Sequence, residues 1–142
     1  MRTINHFVGG KDVAGTSGRF ADVFNPATGE VQAKVALASK AEVDAAVKIA
    51  AEAFPKWSST PPLTRARVMF RFKQLIEENI DKMAQIVTSE HGKVLSDSKG
   101  SITRGLEVVE FACGIPHLLK ADYSENVGTN VDSYSMRQAL GV

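Results

Sequence analysis

The run from about Asp97 to Ile115 constrains the fold more than any other part of the sequence. With about 100° between successive residues on a helix, Ile102, Leu106, Val109 and Cys113 fall on one apolar stripe. Val108, Phe111, Ile115 and Leu119 fall on a second, roughly opposite. A helix that is apolar on two sides stands between two layers. The chain has 142 residues, about one domain's worth. The elements that precede this helix can cover one stripe, and the other calls for a partner.

Upstream, the pattern is one of strands and turns, then helices. Ile4 to Val8, Gly9-Gly10 and Lys11-Asp12-Val13 read as a hairpin. Phe20 to Phe24 and the alternating Val31, Ala33, Val35 and Leu37 flank the turn Asn25-Pro26-Ala27-Thr28-Gly29. At Ser39 the period changes. Ser39 and Glu42 form a capping box ahead of a helical face of Val43, Val47, Ala50 and Phe54, which Pro55 ends or bends. Thr60-Pro61-Pro62 opens a second helix with Val68, Phe72, Leu75 and Ile76 facing inward and Arg67, Arg71, Lys73, Gln74 and Glu77 pointing away. A third, about Asp81 to Glu90, buries Met83, Ile86 and Val87 and stops at Gly92, suited to a left-handed cap. From Ser124 onward Tyr134, Met136 and Leu140 alternate with polar residues, and Leu140-Gly141-Val142 reads as the opening of a buried strand.

Composition narrows the partners. Seventeen Lys and Arg against sixteen Asp and Glu leave a net charge of +1, so no bulk field selects nucleic acid or anionic lipid. The basic residues of the second helix are interleaved with Glu77 and Glu78 and read as a solvated surface. No apolar run approaches a membrane span, and the first residues lack the apolar core of a secretion signal. One cysteine makes no intrachain disulfide and suits a reducing compartment, so the expectation is a cytoplasmic protein.

Few residues carry chemistry. Arg104 sits at the centre of the second stripe, with Gly100 one turn earlier leaving room beside it. A guanidinium stays charged at neutral pH, so a buried one needs an anion. Its own helix offers Glu107 at i+3, and a ligand carboxylate is the other choice. Cys113, with Glu110 at i−3 and His117 at i+4, has the outline of a nucleophile with a base and a carboxylate. Its place in the apolar stripe and the interruption at Pro116 make it a packed, inert thiol. His6, His91 and His117 form no metal-ligand spacing, and neither Gly9-Gly10-Lys11 nor Gly92-Lys93 has the spacing of a phosphate loop. There is no G-x-G-x-x-G. No catalytic, cofactor-binding or metal residue is therefore assigned.

Several stretches carry a resemblance. Asn25-Pro26-Ala27-Thr28-Gly29-Glu30, Ala53-Phe54-Pro55-Lys56-Trp57-Ser58, Arg65-Ala66-Arg67 and Glu90-His91-Gly92-Lys93, in this order, resemble the N-terminal part of the aldehyde dehydrogenase superfamily. Thr103 to Cys113, Ile115-Pro116-His117-Leu118-Leu119 and Val131-Asp132-Ser133-Tyr134-Ser135 look like its CoA-acylating methylmalonate-semialdehyde branch. The resemblance implies an α/β fold of which this chain supplies the leading β-hairpins and four helices. Residues 1–123 would be the N-terminal part of the NAD-binding domain and 124–142 the start of an oligomerisation β-segment.

It also implies an enzyme that uses NAD and coenzyme A on a small semialdehyde, homo-oligomeric at full length. The nucleophilic cysteine and the dinucleotide-holding segments of that family lie beyond this stretch, so the chain alone is expected to be inactive and to bind no cofactor. Arg104 matches the helix arginine implied to hold the substrate carboxylate. At Ala139 the sequence departs from the family, where a proline commonly precedes Leu-Gly-Val. A different expectation is a complete small module that pairs with intact subunits through its apolar faces.

Overall fold

The computed structural model describes residues 1–142 as a mixed α/β chain. Its strands are β1 (Arg2–Ile4), β2 (His6–Val8), β3 (Lys11–Val13), β4 (Phe20–Phe24) and β5 (Val31–Ala36). Helices α1 (Lys40–Ser59), α2 (Pro62–Glu78), α3 (Ile80–His91), α4 (Leu95–Cys113) and α5 (Ile115–Leu118) follow, then the hairpin β6 (Tyr123–Gly128) and β7 (Val131–Tyr134).

Gly9 and Gly10 both adopt positive φ, 61° and 77°, which joins β2 to β3 in a tight turn whose twist matches the strands. The Ile4 to Val8 run is not one strand. It divides at Asn5, whose amide donates to Asp12 Oδ1 at 2.8 Å. The residues before Asn5 pair with β5 in parallel, and those after it pair with β3. Strand β5 is therefore central in the order β1-β5-β4, and its Ala33 and Ala36 are buried. The β4–β5 connection closes as the composition of its turn demands. Asn25 Oδ1 accepts from Ala27 N at 3.0 Å, Asn25 O accepts from Gly29 N at 2.7 Å, and Gly29 sits at φ 77°.

The capping box at Ser39 is complete: Ser39 Oγ accepts from Glu42 N, and the Glu42 carboxylate accepts from Ser39 N at 2.7 Å. Pro55 does not end α1, which runs on to Ser59. Proline removes a single backbone donor, and the hydroxyls of Ser58, Ser59 and Thr60 back-bond to Pro55 O and Lys56 O in the final turn. Its apolar face is uncovered: no α1 residue is buried, and Val43 and Val47 lie half in solvent.

The core sits where α2, α3 and α4 meet. Ile76, Ala84 and Ile102 are buried there, flanked by Ile80, Leu106 and Val109. Ser98, also buried, shares a 2.8 Å hydrogen bond with Thr88. The packed side of α2 shares only Ile76 with the expected one. Ala66 and Ile76 are buried and Met69 and Lys73 half-buried, whereas Val68, Phe72 and Leu75 face solvent. Lys73 points inward, bonding Glu77 on its own helix and Glu110 of α4 at 3.2 Å, and these two carboxylates raise its pKa. On α3 the buried residue is Ala84, with Val87 half-buried, while Met83 and Ile86 are exposed. Gly92 caps α3 at φ 82° as expected.

The sheet is fastened to the end of α3. Gln32 Nε2 donates to Ser89 O at 2.8 Å, and Pro26 packs over Gly92 so closely that a Cβ there would stand 2.8 Å from Pro26 Cγ. The β6–β7 hairpin is exposed throughout. Tyr123 Oη donates to Asp132 Oδ2 at 2.8 Å, which raises the phenol pKa; Asn126 N, at 2.9 Å from Asp132 Oδ1, and then the phenol lower that of the carboxylate. Regular structure ends at Tyr134, so the alternation of Met136 and Leu140 does not continue as a strand.

Candidate functional site

Arg104 lies in the middle of α4, exposed, on the wall of a polar cleft of about 300 Å³. Lys93, Ser96, Asp97, Gly100 and Ser101 line the same cleft. Helical spacing brings Asp97, Gly100, Ser101 and Arg104 to one side of α4, and the cap at Gly92 turns the chain so that Lys93 reaches them. Lys93 Nζ donates to Ser101 Oγ at 2.7 Å. A Cβ at Gly100 would meet nothing within 4 Å, so the space beside Arg104 is open.

The cleft holds two cations and one carboxylate. Arg104 makes no ion pair, and the contact with Glu107 that its helix offered does not form. The flanking Val108 and Phe111 are exposed as well. The guanidinium is therefore solvated in this chain, not sealed in an apolar stripe, and stays free for an anion from outside. Nothing in the spacing of Gly92-Lys93, a helix cap followed by a cation, marks Lys93 and Ser101 as neighbours of Arg104. Ser101 at i−3 from Arg104 was the available signal.

The second constellation does not assemble. Cys113 is buried, Glu110 is engaged by Lys73, and the helix breaks at Gly114, so His117 belongs to the separate turn α5. His6, His91 and His117 lie on β2, at the end of α3 and on α5. No three His, Cys, Asp or Glu side chains cluster to hold a metal ion, and no helix is long and apolar enough to cross a membrane.

A dinucleotide would need a helix N-terminus open to its pyrophosphate. The one helix that follows a strand of the three-stranded sheet is α1, and the Glu42 carboxylate already occupies its first turn. Glu42 accepts from the backbone N–H groups of Ser39 and Thr16, which hold its pKa down to about 2. A negative charge fixed there repels a phosphate, so the start of α1 does not fit a pyrophosphate.

Comparison with known proteins places the chain in a family. The family model described as "Aldehyde dehydrogenase family" matches residues 13–142. The chain belongs to the aldehyde dehydrogenase family. A malonate-semialdehyde dehydrogenase of Pseudomonas aeruginosa is 48% identical over 100% of this chain and 28% of its own length. A mitochondrial acylating methylmalonate-semialdehyde dehydrogenase of Arabidopsis thaliana is 50% identical over 98% of this chain and 23% of its own length. Among solved structures, a provisionally assigned methylmalonate-semialdehyde dehydrogenase from Sinorhizobium meliloti, in complex with NAD, superposes with a TM-score of 0.96 at 53% identity. The match covers 99% of this chain and 29% of that one. The chain thus corresponds to the N-terminal portion of these aldehyde dehydrogenases and spans less than a third of the length of each.

Proposed function

We propose that this chain is the leading part of an NAD- and CoA-dependent dehydrogenase acting on malonate or methylmalonate semialdehyde, and that its share of the reaction is to hold the substrate carboxylate. The observation that carries the reading is Arg104: unpaired, on an open polar cleft, in an aldehyde dehydrogenase segment. A guanidinium presents parallel N–H donors that match a carboxylate in bidentate fashion. Lys93 adds a second positive charge at the same opening.

The nicotinamide cofactor accepts hydride and coenzyme A accepts the acyl group in such an enzyme. In this reading neither is held by the present residues: the Glu42 carboxylate at the one helix entrance after the sheet supports the absence of a dinucleotide site, and the burial of Cys113 supports the absence of a thiol nucleophile. The chain alone is accordingly silent in catalysis. Its single free cysteine supports a reducing compartment such as the cytoplasm. The exposed hairpin from Tyr123 to Tyr134 supports a role for residues 124–142 in homo-oligomerisation of the whole enzyme.

Two measurements test the reading. The purified chain, given malonate semialdehyde, NAD and CoA, should form neither NADH nor a thioester; turnover would refute its silence. In a full-length enzyme carrying this segment, Arg104→Leu should lower kcat/KM for malonate semialdehyde by about 10- to 100-fold, the loss of a charge-assisted bidentate contact. It should leave an uncharged aldehyde of similar size nearly unaffected. An equal loss on both substrates would remove Arg104 from the carboxylate site.

A second reading, a small module that pairs with intact subunits, is favoured by the apolar faces of α1 and α4. Co-sedimentation with an intact family enzyme, at a fixed stoichiometry and without exchange of its subunits, would select it.

A further inference from the structure

The turn between α1 and α2, the first turn of α2 and the tail around Arg137 surround a cavity of about 730 Å³. Two guanidinium groups line it, Arg65 and Arg137, and no carboxylate does. Neither arginine takes part in any ion pair of the chain. Arg65 Nε is sealed from solvent and donates to nothing. A buried N–H without an acceptor is unfavourable, and the half-buried Arg65 side chain and Arg137 meet no negative oxygen along the cavity wall.

The rest of the lining sharpens the demand. Ser58, Ser59 and Thr60 donate their hydroxyl protons to carbonyls of their own helix, so they bring no donors to the cavity. The side-chain donors left to it are the two guanidinium groups and the amide of Gln138. Helix α2 begins here at Pro61 and Pro62 with no side-chain cap and no acidic residue in its first turn. Its positive end is uncompensated, unlike that of α1, where Glu42 supplies the charge.

We propose that this cavity binds an oxyanion, a carboxylate or phosphate group, between Arg65 and Arg137 at the start of α2. The site is separate from the Arg104 cleft, with which it shares no lining residue, and does not depend on which aldehyde the enzyme takes. Both guanidinium groups present planar donor pairs, so an anion with two or three free oxygens satisfies Arg65 and Arg137 together.

The test follows the arginine Nε–Hε resonances of the full 142-residue chain, labelled with nitrogen-15, as inorganic phosphate or malonate is added against sodium chloride at matched ionic strength. The Arg65 signal should shift and saturate with one or both oxyanions. Arg65→Gln and Arg137→Gln should each weaken binding about tenfold or more, and Arg104→Gln should leave the Arg65 response unchanged. Saturation by phosphate alone assigns a phosphorylated ligand, and by malonate alone a carboxylate. The proposal is overturned if neither anion shifts Arg65 at tens of millimolar, if chloride reproduces the shift, or if affinity survives Arg137→Gln. Arg137 stands outside every helix and strand, so that variant keeps the test decisive even if Arg65→Gln does not fold.

Discussion

Glu42 ties three segments together with one carboxylate: it closes the capping box with Ser39, accepts from Thr16 N, and lies 4.0 Å from His6 Nε2. Its folded pKa of about 2 lies below the ordinary value of 4.5. The unfolded chain therefore binds a proton there more readily, and the stabilisation is fully present above pH 4.5 and lost as pH falls toward 2. Melting temperature followed from pH 6 to pH 2 should drop more steeply for the natural chain than for Glu42→Gln, and parallel curves would deny Glu42 this role. Ser39→Ala should cost about 1 kcal/mol in urea unfolding at neutral pH. At Gly92 a positive φ and the close approach of Pro26 act together. Gly92→Ala should destabilise by more than about 1 kcal/mol, whereas a simple gain in helix propensity would stabilise. Single residues of this kind are legible in sequence because the backbone itself selects them. Arg65 was not, since nothing in Arg65-Ala66-Arg67 says that one side chain is half-buried on a cavity wall with its Nε unpaired and the other is solvated.

Among the elements, α4 shows its two stripes as the periodicity requires, but only one is covered. Ile102 is buried, while Phe111 on the other stripe is 69% exposed. Ile102→Ala should cost about 2–5 kcal/mol, and Phe111→Ser less than about 0.5 kcal/mol, both by denaturant unfolding of the isolated chain. Equal costs would mean that the second stripe is covered too. The helices, their caps and the hairpins were thus visible from period and turn chemistry. Which face packs was not, and α2 shows why. Its packed side is Ala66, Met69, Lys73 and Ile76, two small or charged residues among two large apolar ones, while the more apolar Val68, Phe72 and Leu75 face out. Alanine allows backbones to approach, and the stem of a lysine buries well beside Glu77 and Glu110, so hydrophobicity alone chose the wrong side. The parallel pairing of β1 with β5 was also hidden, because the register depends on Asn5 changing the partner of the chain.

At the scale of the whole molecule, accessible surface is the property that separates the two readings of this chain. A compact protein of its mass, 15.3 kDa, exposes about 7,100 Å², and this one exposes 10669 Å². Buried residues number 8 of 142, and six of the eight belong to α2, α3 and α4. The excess of about 3,500 Å² exceeds a standard protein interface, in keeping with a chain that spans under a third of its relatives. Folding from an extended chain would then remove only about three-quarters of the surface that a compact domain of this length removes. Because the denaturant m-value scales with the area exposed on unfolding, the isolated chain should unfold in urea with about three-quarters of the m-value usual for 142 residues, measured at a dilution where sedimentation shows a monomer. At higher concentration the apolar faces of α1, α2 and α4 should associate, and m should rise as they are covered. A full m-value in the monomer would mean that the chain closes its own surface, and the self-contained module would replace the part of a larger enzyme.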